Sequence, residues 1–173
     1  MRSQTVIALV ASLVLSVVVD VTACGDKFTR IGRSGRHGGY AAIHPASILI
    51  YEPQTRSAKG VKEFDELLKR AGHKPVFVPN GTALAQVLAS ASFDLVIANY
   101  GDAQAITSQV RALTAGPDVV PILVKPSKAT TAQAEREYHC ILKADTMSTA
   151  DVLEEIDHAM ESRLKAKTPV KPI

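Results

Sequence analysis

Four polar residues stand where apolar runs of the sequence end. Ile48-Leu49-Ile50 leads into Tyr51 and Glu52, Leu95-Val96-Ile97-Ala98 into Asn99, and Cys140-Ile141-Leu142 into Lys143. Runs that are apolar at every position suit strands buried on both faces, as in a parallel sheet. Ligands of such sheets bind beyond the carboxyl ends of the strands. A carboxylate at 52, a carboxamide at 99 and an ammonium at 143 could therefore form a polar pocket for a small ligand or a partner's side chain. The plainer reading is an ion pair between Lys143 and Glu52 with no ligand.

Other reactive groups are sparse. Cys24 and Cys140 are the two cysteines, too few for a disulfide scaffold or a zinc module. Cys140 falls within an apolar run, where a small buried thiol is the default. His139 beside it would point to the opposite face of a strand, so no nucleophile–base pair is legible. The five histidines show neither His-x-His nor His-Glu-x-x-His spacing, so no metal and no cofactor are expected. A formal charge of +3 over 173 residues gives no reason to expect nucleic acid as a partner. Asp102 is expected to cap a helix, and Lys125-Pro126-Ser127-Lys128 to be a solvated turn.

The N-terminus reads as an address. Arg2 precedes an apolar run from Val6 to Val19, which Asp20 stops. That run is short for a bilayer core of about 30 Å, which needs about 20 helical residues. It fits the apolar region of a secretory signal. Val21-Thr22-Ala23-Cys24 resembles the bacterial lipobox, which implies cleavage before Cys24 and lipid on its sulfur; the alternatives are ordinary signal-peptidase cleavage after Ala23 and an uncleaved anchor, and each implies a place on the extracytoplasmic side of a membrane. The expected organisation is a signal peptide over 1–23, a glycine-rich basic linker over 24–45, a folded domain over 46–165 and a tail over 166–173.

Within the domain, strand patterns at Ser47–Glu52, Pro75–Val78, Leu95–Asn99, Val119–Val124 and His139–Leu142 alternate with helical patterns. The helical stripes are Val61, Phe64, Leu67, Leu68 and Ala71; then Leu84, Val87, Leu88 and Ala91; then Ile106, Val110 and Leu113. Thr130–Glu137 is a weaker helix, and the last stripe runs Val152, Leu153, Ile156, Met160 and Leu164, with Ser148 as its cap. Alternation of this kind demands an α/β fold: a doubly wound, five-stranded parallel sheet with helices on both faces. For this size the flavodoxin-like strand order 2-1-3-4-5 is expected.

Ile48-Leu-Ile-Tyr-Glu-Pro, Phe93-Asp-Leu-Val-Ile-Ala-Asn, Val120-Pro-Ile-Leu-Val and Cys140-Ile-Leu-Lys together resemble the strands of a response-regulator receiver domain. The resemblance implies two acids after the first strand, a phosphoacceptor Asp after the third, a hydroxyl after the fourth and a Lys after the fifth. The acids bind Mg²⁺, and the hydroxyl and Lys hold the phosphate. Here the acid pair is Tyr51-Glu52, the acceptor position is Asn99, the hydroxyl position falls near Pro126 with Ser127 one step later, and Lys143 is followed by Ala144. A carboxamide is a poor nucleophile and offers no charge to Mg²⁺. The expectation is a non-catalytic, lipid-anchored, receiver-like domain that binds an unknown protein partner at the cell envelope. Its alternative is a small-ligand binding domain using the strand-end cleft.

Overall fold

The computed structural model describes residues 40–53 and 58–167. The expected signal peptide and Cys24 lie outside the described residues. β1 (Ser47–Tyr51), α1 (Ala58–Ala71), β2 (Lys74–Val78), α2 (Gly81–Ser90), β3 (Leu95–Asn99), α3 (Tyr100–Arg111), β4 (Asp118–Leu123), α4 (Lys128–Glu137), β5 (Leu142–Lys143) and α5 (Thr149–Lys167) follow in chain order. The strands form one parallel sheet in the order β2-β1-β3-β4-β5. This is the expected flavodoxin-like arrangement.

The central strands explain the topology. Ile48, Leu49, Ile50, Leu95, Val96 and Ile97 are buried, and alternate residues serve opposite faces. Ile48, Ile50, Leu95, Ile97, Val120 and Ile122 face a core completed by Leu68 of α1 and Leu153, Ile156 and Met160 of α5. Leu49, Val96 and Ala98 face Leu84 of α2 and Ile106 and Val110 of α3. A smaller cluster joins Leu123 and Ile141 to Ala134 of α4. Gly72 ends α1 at φ +99°, a conformation that costs glycine little. Its N–H bonds the Lys69 carbonyl and that of His73 bonds Leu68, closing the helix end.

Several expectations are corrected. The fifth strand lies at Leu142–Lys143 rather than His139–Leu142. Cys140 and Ile141 are buried but precede the ladder, because an apolar run reports burial and not backbone pairing. Asp102 does not cap α3; Asn99 occupies that position, and Asp102 sits in the first turn, where a carboxylate suits the helix dipole. Leu113 and Leu164 are not core residues but exposed at the surface by about two-fifths of their area (40% and 43%). Ser148 does serve α5, through a reciprocal pair in which Asp151 N–H bonds Ser148 Oγ and Ser148 N–H bonds the Asp151 carboxylate.

The packed part also begins before residue 46. Tyr40 Oη donates to Asp157 at 2.5 Å, and the Ile43 and His44 amides donate to the same carboxylate at 3.0 and 3.1 Å. Residues 40–45, expected to be linker, are thus held against α5. Among the described residues no helix is long and apolar enough to cross a membrane.

Candidate functional site

A cleft of about 930 Å³ opens at the carboxyl ends of the strands. Asn99, Ile122, Leu123 and Val124 form its floor, with Phe64 and Leu67 of α1 on one wall and Val152 of α5 beside them. Asn99 is half-buried there, with an extended backbone (φ −61°, ψ 145°), and its side chain makes no capping hydrogen bond at the start of α3. Val124 is 58% exposed at the rim.

The expected pocket residues divide. Only Asn99 lines the cleft. Tyr51 packs into the α2–α3 side of the core, so the position the receiver pattern gives to an acid is filled by a ring. Glu52 is buried at the strand end, and its N–H bonds the Val78 carbonyl. The expected Lys143–Glu52 pair is not what forms. Lys143 Nζ bonds Glu135 Oε1 of α4 at 2.9 Å, an exposed pairing that draws the ammonium toward the helix. Ser127 Oγ caps α4, accepting from the Thr130 amide at 3.0 Å and meeting the Thr130 hydroxyl at 2.8 Å. The hydroxyl nearest the fourth strand is therefore engaged in helix capping. Lys125, at φ 44°, turns the chain there and donates its N–H to the Asp145 carboxylate.

A second constellation was not legible as strand and helix patterns. Cys140 Sγ lies 3.4 Å from His158 Nδ1. Glu155 completes a group whose ligating atoms all fall within 4.8 Å of one another. Burial raises the Glu155 carboxyl above its ordinary range, opposed by His158, by hydrogen bonds from Cys140 and the Ile141 amide, and by Lys143. The base near Cys140 is thus on α5, not its sequence neighbour His139. The available signal was Glu-x-x-His at 155 and 158, a spacing that puts two side chains on adjacent turns of one helix.

Two buried polar groups brace the opposite end of the sheet. The Arg163 guanidinium, 6% exposed, donates to the Gly116 carbonyl at 3.0 Å and lies 3.3 Å from Asp118 and 3.9 Å from Asp94. The other Asp94 oxygen accepts from the Ser47 amide at 3.0 Å, so α5 is tied to the starts of β1, β3 and β4. His73 accepts the Ala46 amide on Nδ1 at 3.2 Å. Burial pushes its pKa down, partly offset by the charge of Asp157.

No protein-family model matches the chain, and no curated protein matches it. Among solved structures, the chain is similar to the signal receiver domain of an HD domain-containing protein from Pseudomonas fluorescens Pf-5. The TM-score is 0.56 at 20% identity, over 70% of this chain and 99% of that one. At that identity the likeness speaks for architecture, and the domain has a receiver-like, flavodoxin-like fold.

Proposed function

We propose that this is a non-catalytic receiver-like domain that binds a protein partner, held at the cell envelope by lipid on Cys24. The observation that carries the reading is the chemistry of the strand ends. Position 99 offers a carboxamide, position 51 an aromatic ring, and the Lys143 ammonium is held by Glu135. Phosphoryl transfer would lack its nucleophile, one of its two acids and a directed cation. What remains at this edge is a cleft with Phe64, Leu67, Ile122 and Val152 in its lining, suited to an apolar side chain of a partner. Cys140, though near a base, is 5% exposed and does not line that cleft. The envelope location rests on Val21-Thr22-Ala23-Cys24 following an apolar run.

Incubation of the full chain with acetyl phosphate and Mg²⁺, followed by intact-mass measurement, is expected to add no phosphate. A phosphate gained by the native protein and lost in Asn99→Ala would overturn the non-catalytic reading. Capture from membranes with the wild type and with Val124→Asp tests the partner. Val124→Asp places a charge at the cleft rim without touching the core, and is expected to abolish one captured species. Equal capture by both would remove the cleft from the proposal. Intact mass of membrane-extracted protein tests the anchor: a mature chain starting at Cys24 without acyl mass would refute it.

A further inference from the structure

The geometry points to a metal site for Zn²⁺ or a similarly borderline-soft divalent cation, formed by Cys140, His158 and Glu155. Nothing in the receiver pattern or in the proposed partner binding calls for these three residues. None of them lines the strand-end cleft, and they come from two separate segments. Glu155 and His158 sit one turn apart on α5, and Cys140 lies just before the two-residue strand β5.

The chemistry of the set selects the cation. A thiolate, an imidazole and a carboxylate together make a mixed S, N, O donor set of the kind Zn²⁺ takes. Mg²⁺ and Ca²⁺ prefer oxygen ligands throughout and would find one carboxylate here. The spacing agrees. Bonds of about 2.3 Å to sulfur and about 2.0–2.1 Å to nitrogen in a tetrahedral shell set those ligand atoms about 3.5 Å apart. The observed Sγ–Nδ1 distance is 3.4 Å, and the carboxylate is within 4.8 Å of both partners. Small side-chain movements would therefore complete the shell, without backbone rearrangement.

The surroundings also fit. Glu155 is half-buried on α5, where the surrounding protein restricts its orientation. Cys140 is buried, and the partly exposed imidazole of His158 gives the ion a route in from solvent. Binding exchanges the thiol proton for the metal. The Sγ–H bond gives way to a sulfur–metal bond, the proton leaves to solvent, and no electron transfer is involved. Three protein ligands leave a fourth position for water or for a donor from a partner. The ion would fasten α5 to the edge of the sheet beside its shortest strand.

The test uses the full chain, reduced, stripped of metal by a chelator and held in nonionic detergent. Zn²⁺ is titrated by calorimetry, and Co²⁺ is added as a spectroscopic probe in a parallel sample. One equivalent of Zn²⁺ is expected to bind, Co²⁺ to give thiolate-to-cobalt charge-transfer absorption, and Mg²⁺ to do neither. Cys140→Ser should abolish the charge-transfer band. His158→Gln should weaken Zn²⁺ binding by more than the roughly 10–100-fold that loss of a supporting contact costs. Cys24→Ser should change nothing, which separates this site from the other cysteine. Circular dichroism checks that each variant folds. Should Cys140→Ser not fold, the partly exposed His158→Gln decides. Absence of binding in the wild type, binding undiminished in His158→Gln, or loss of the band in Cys24→Ser would each overturn the inference.

Discussion

Asp157 is the most informative residue to perturb, because one buried carboxylate holds the start of the described chain. It is 6% exposed and accepts from Tyr40 Oη, Ile43 N and His44 N at 2.5, 3.0 and 3.1 Å. Asp157→Ala removes the acceptor from all three donors. A hydrogen bond to a charged group is worth about 1.5–3 kcal/mol, which would give about 4.5–9 kcal/mol for three fully buried ones. These donors are only part-buried and water can replace some of the loss, so the expected cost is about 3–5 kcal/mol. Asp157→Asn keeps one acceptor oxygen and can donate to the Tyr40 hydroxyl, so it should cost about 1–2 kcal/mol. Tyr40→Phe should matter much less in an Asp157→Ala background than in the wild type, since its partner is already gone. Urea unfolding gives the free energies, and hydrogen exchange reads the Ile43 and His44 amides directly. A loss below about 1 kcal/mol in Asp157→Ala, with both amides as protected as in the wild type, would refute the reasoning.

Further perturbations test the core, the brace and the buried histidine. Ile97→Ala, in the middle of the central strand, should cost about 2–5 kcal/mol by urea unfolding, through lost burial and the cavity left behind. Arg163→Ala should cost about 2–3 kcal/mol in the same assay, because the Gly116 carbonyl loses its donor while the partly exposed Asp94 and Asp118 regain water. His73 has a pKa lowered by burial, so the unfolded chain binds more protons between the lowered value and about 6.5. Stability should therefore fall as pH drops through that window, and urea midpoints at a series of pH values should show a flatter slope in His73→Leu.

The strands were legible because burial on both faces leaves no polar position to confuse the period. Leu95–Asn99 falls where the apolar run places it, and the strand order follows from connecting parallel strands without knots. β5 was misplaced because Cys140 and Ile141 are as apolar as strand residues, yet bury themselves before the hydrogen-bonded ladder begins. The partner of Lys143 was hidden for another reason. Glu135 lies on a helix whose angle to the sheet no single-sequence period records. The last helix shows the limit of stripe reading. Hydrophobicity places Leu164 in the core, yet it is 43% exposed, while the neighbouring Arg163 is buried. A charged residue enters the interior only with partners, and those partners come from the far ends of β3 and β4.

α5 emerges from these details as the element that carries the domain's particular chemistry. Leu153, Ile156 and Met160 give it an ordinary helix-on-sheet core. Its other residues make contacts beyond that core. Val152 reaches the cleft, Glu155 and His158 meet Cys140, Asp157 gathers the chain at 40–44, and Arg163 binds the starts of the central strands. Asp157 on this helix accepts from three donors, and Arg163 donates to the Gly116 carbonyl beside Asp118 and Asp94, while its buried Nε makes no hydrogen bond. Burying Asp157 and Arg163 costs free energy that their hydrogen bonds must offset. A helix retained only to cover the sheet would not need either. The buried charges of α5 are therefore explained by bracing: Asp157 and Arg163 tie residues 40–44 and the starts of β1, β3 and β4 to one helix.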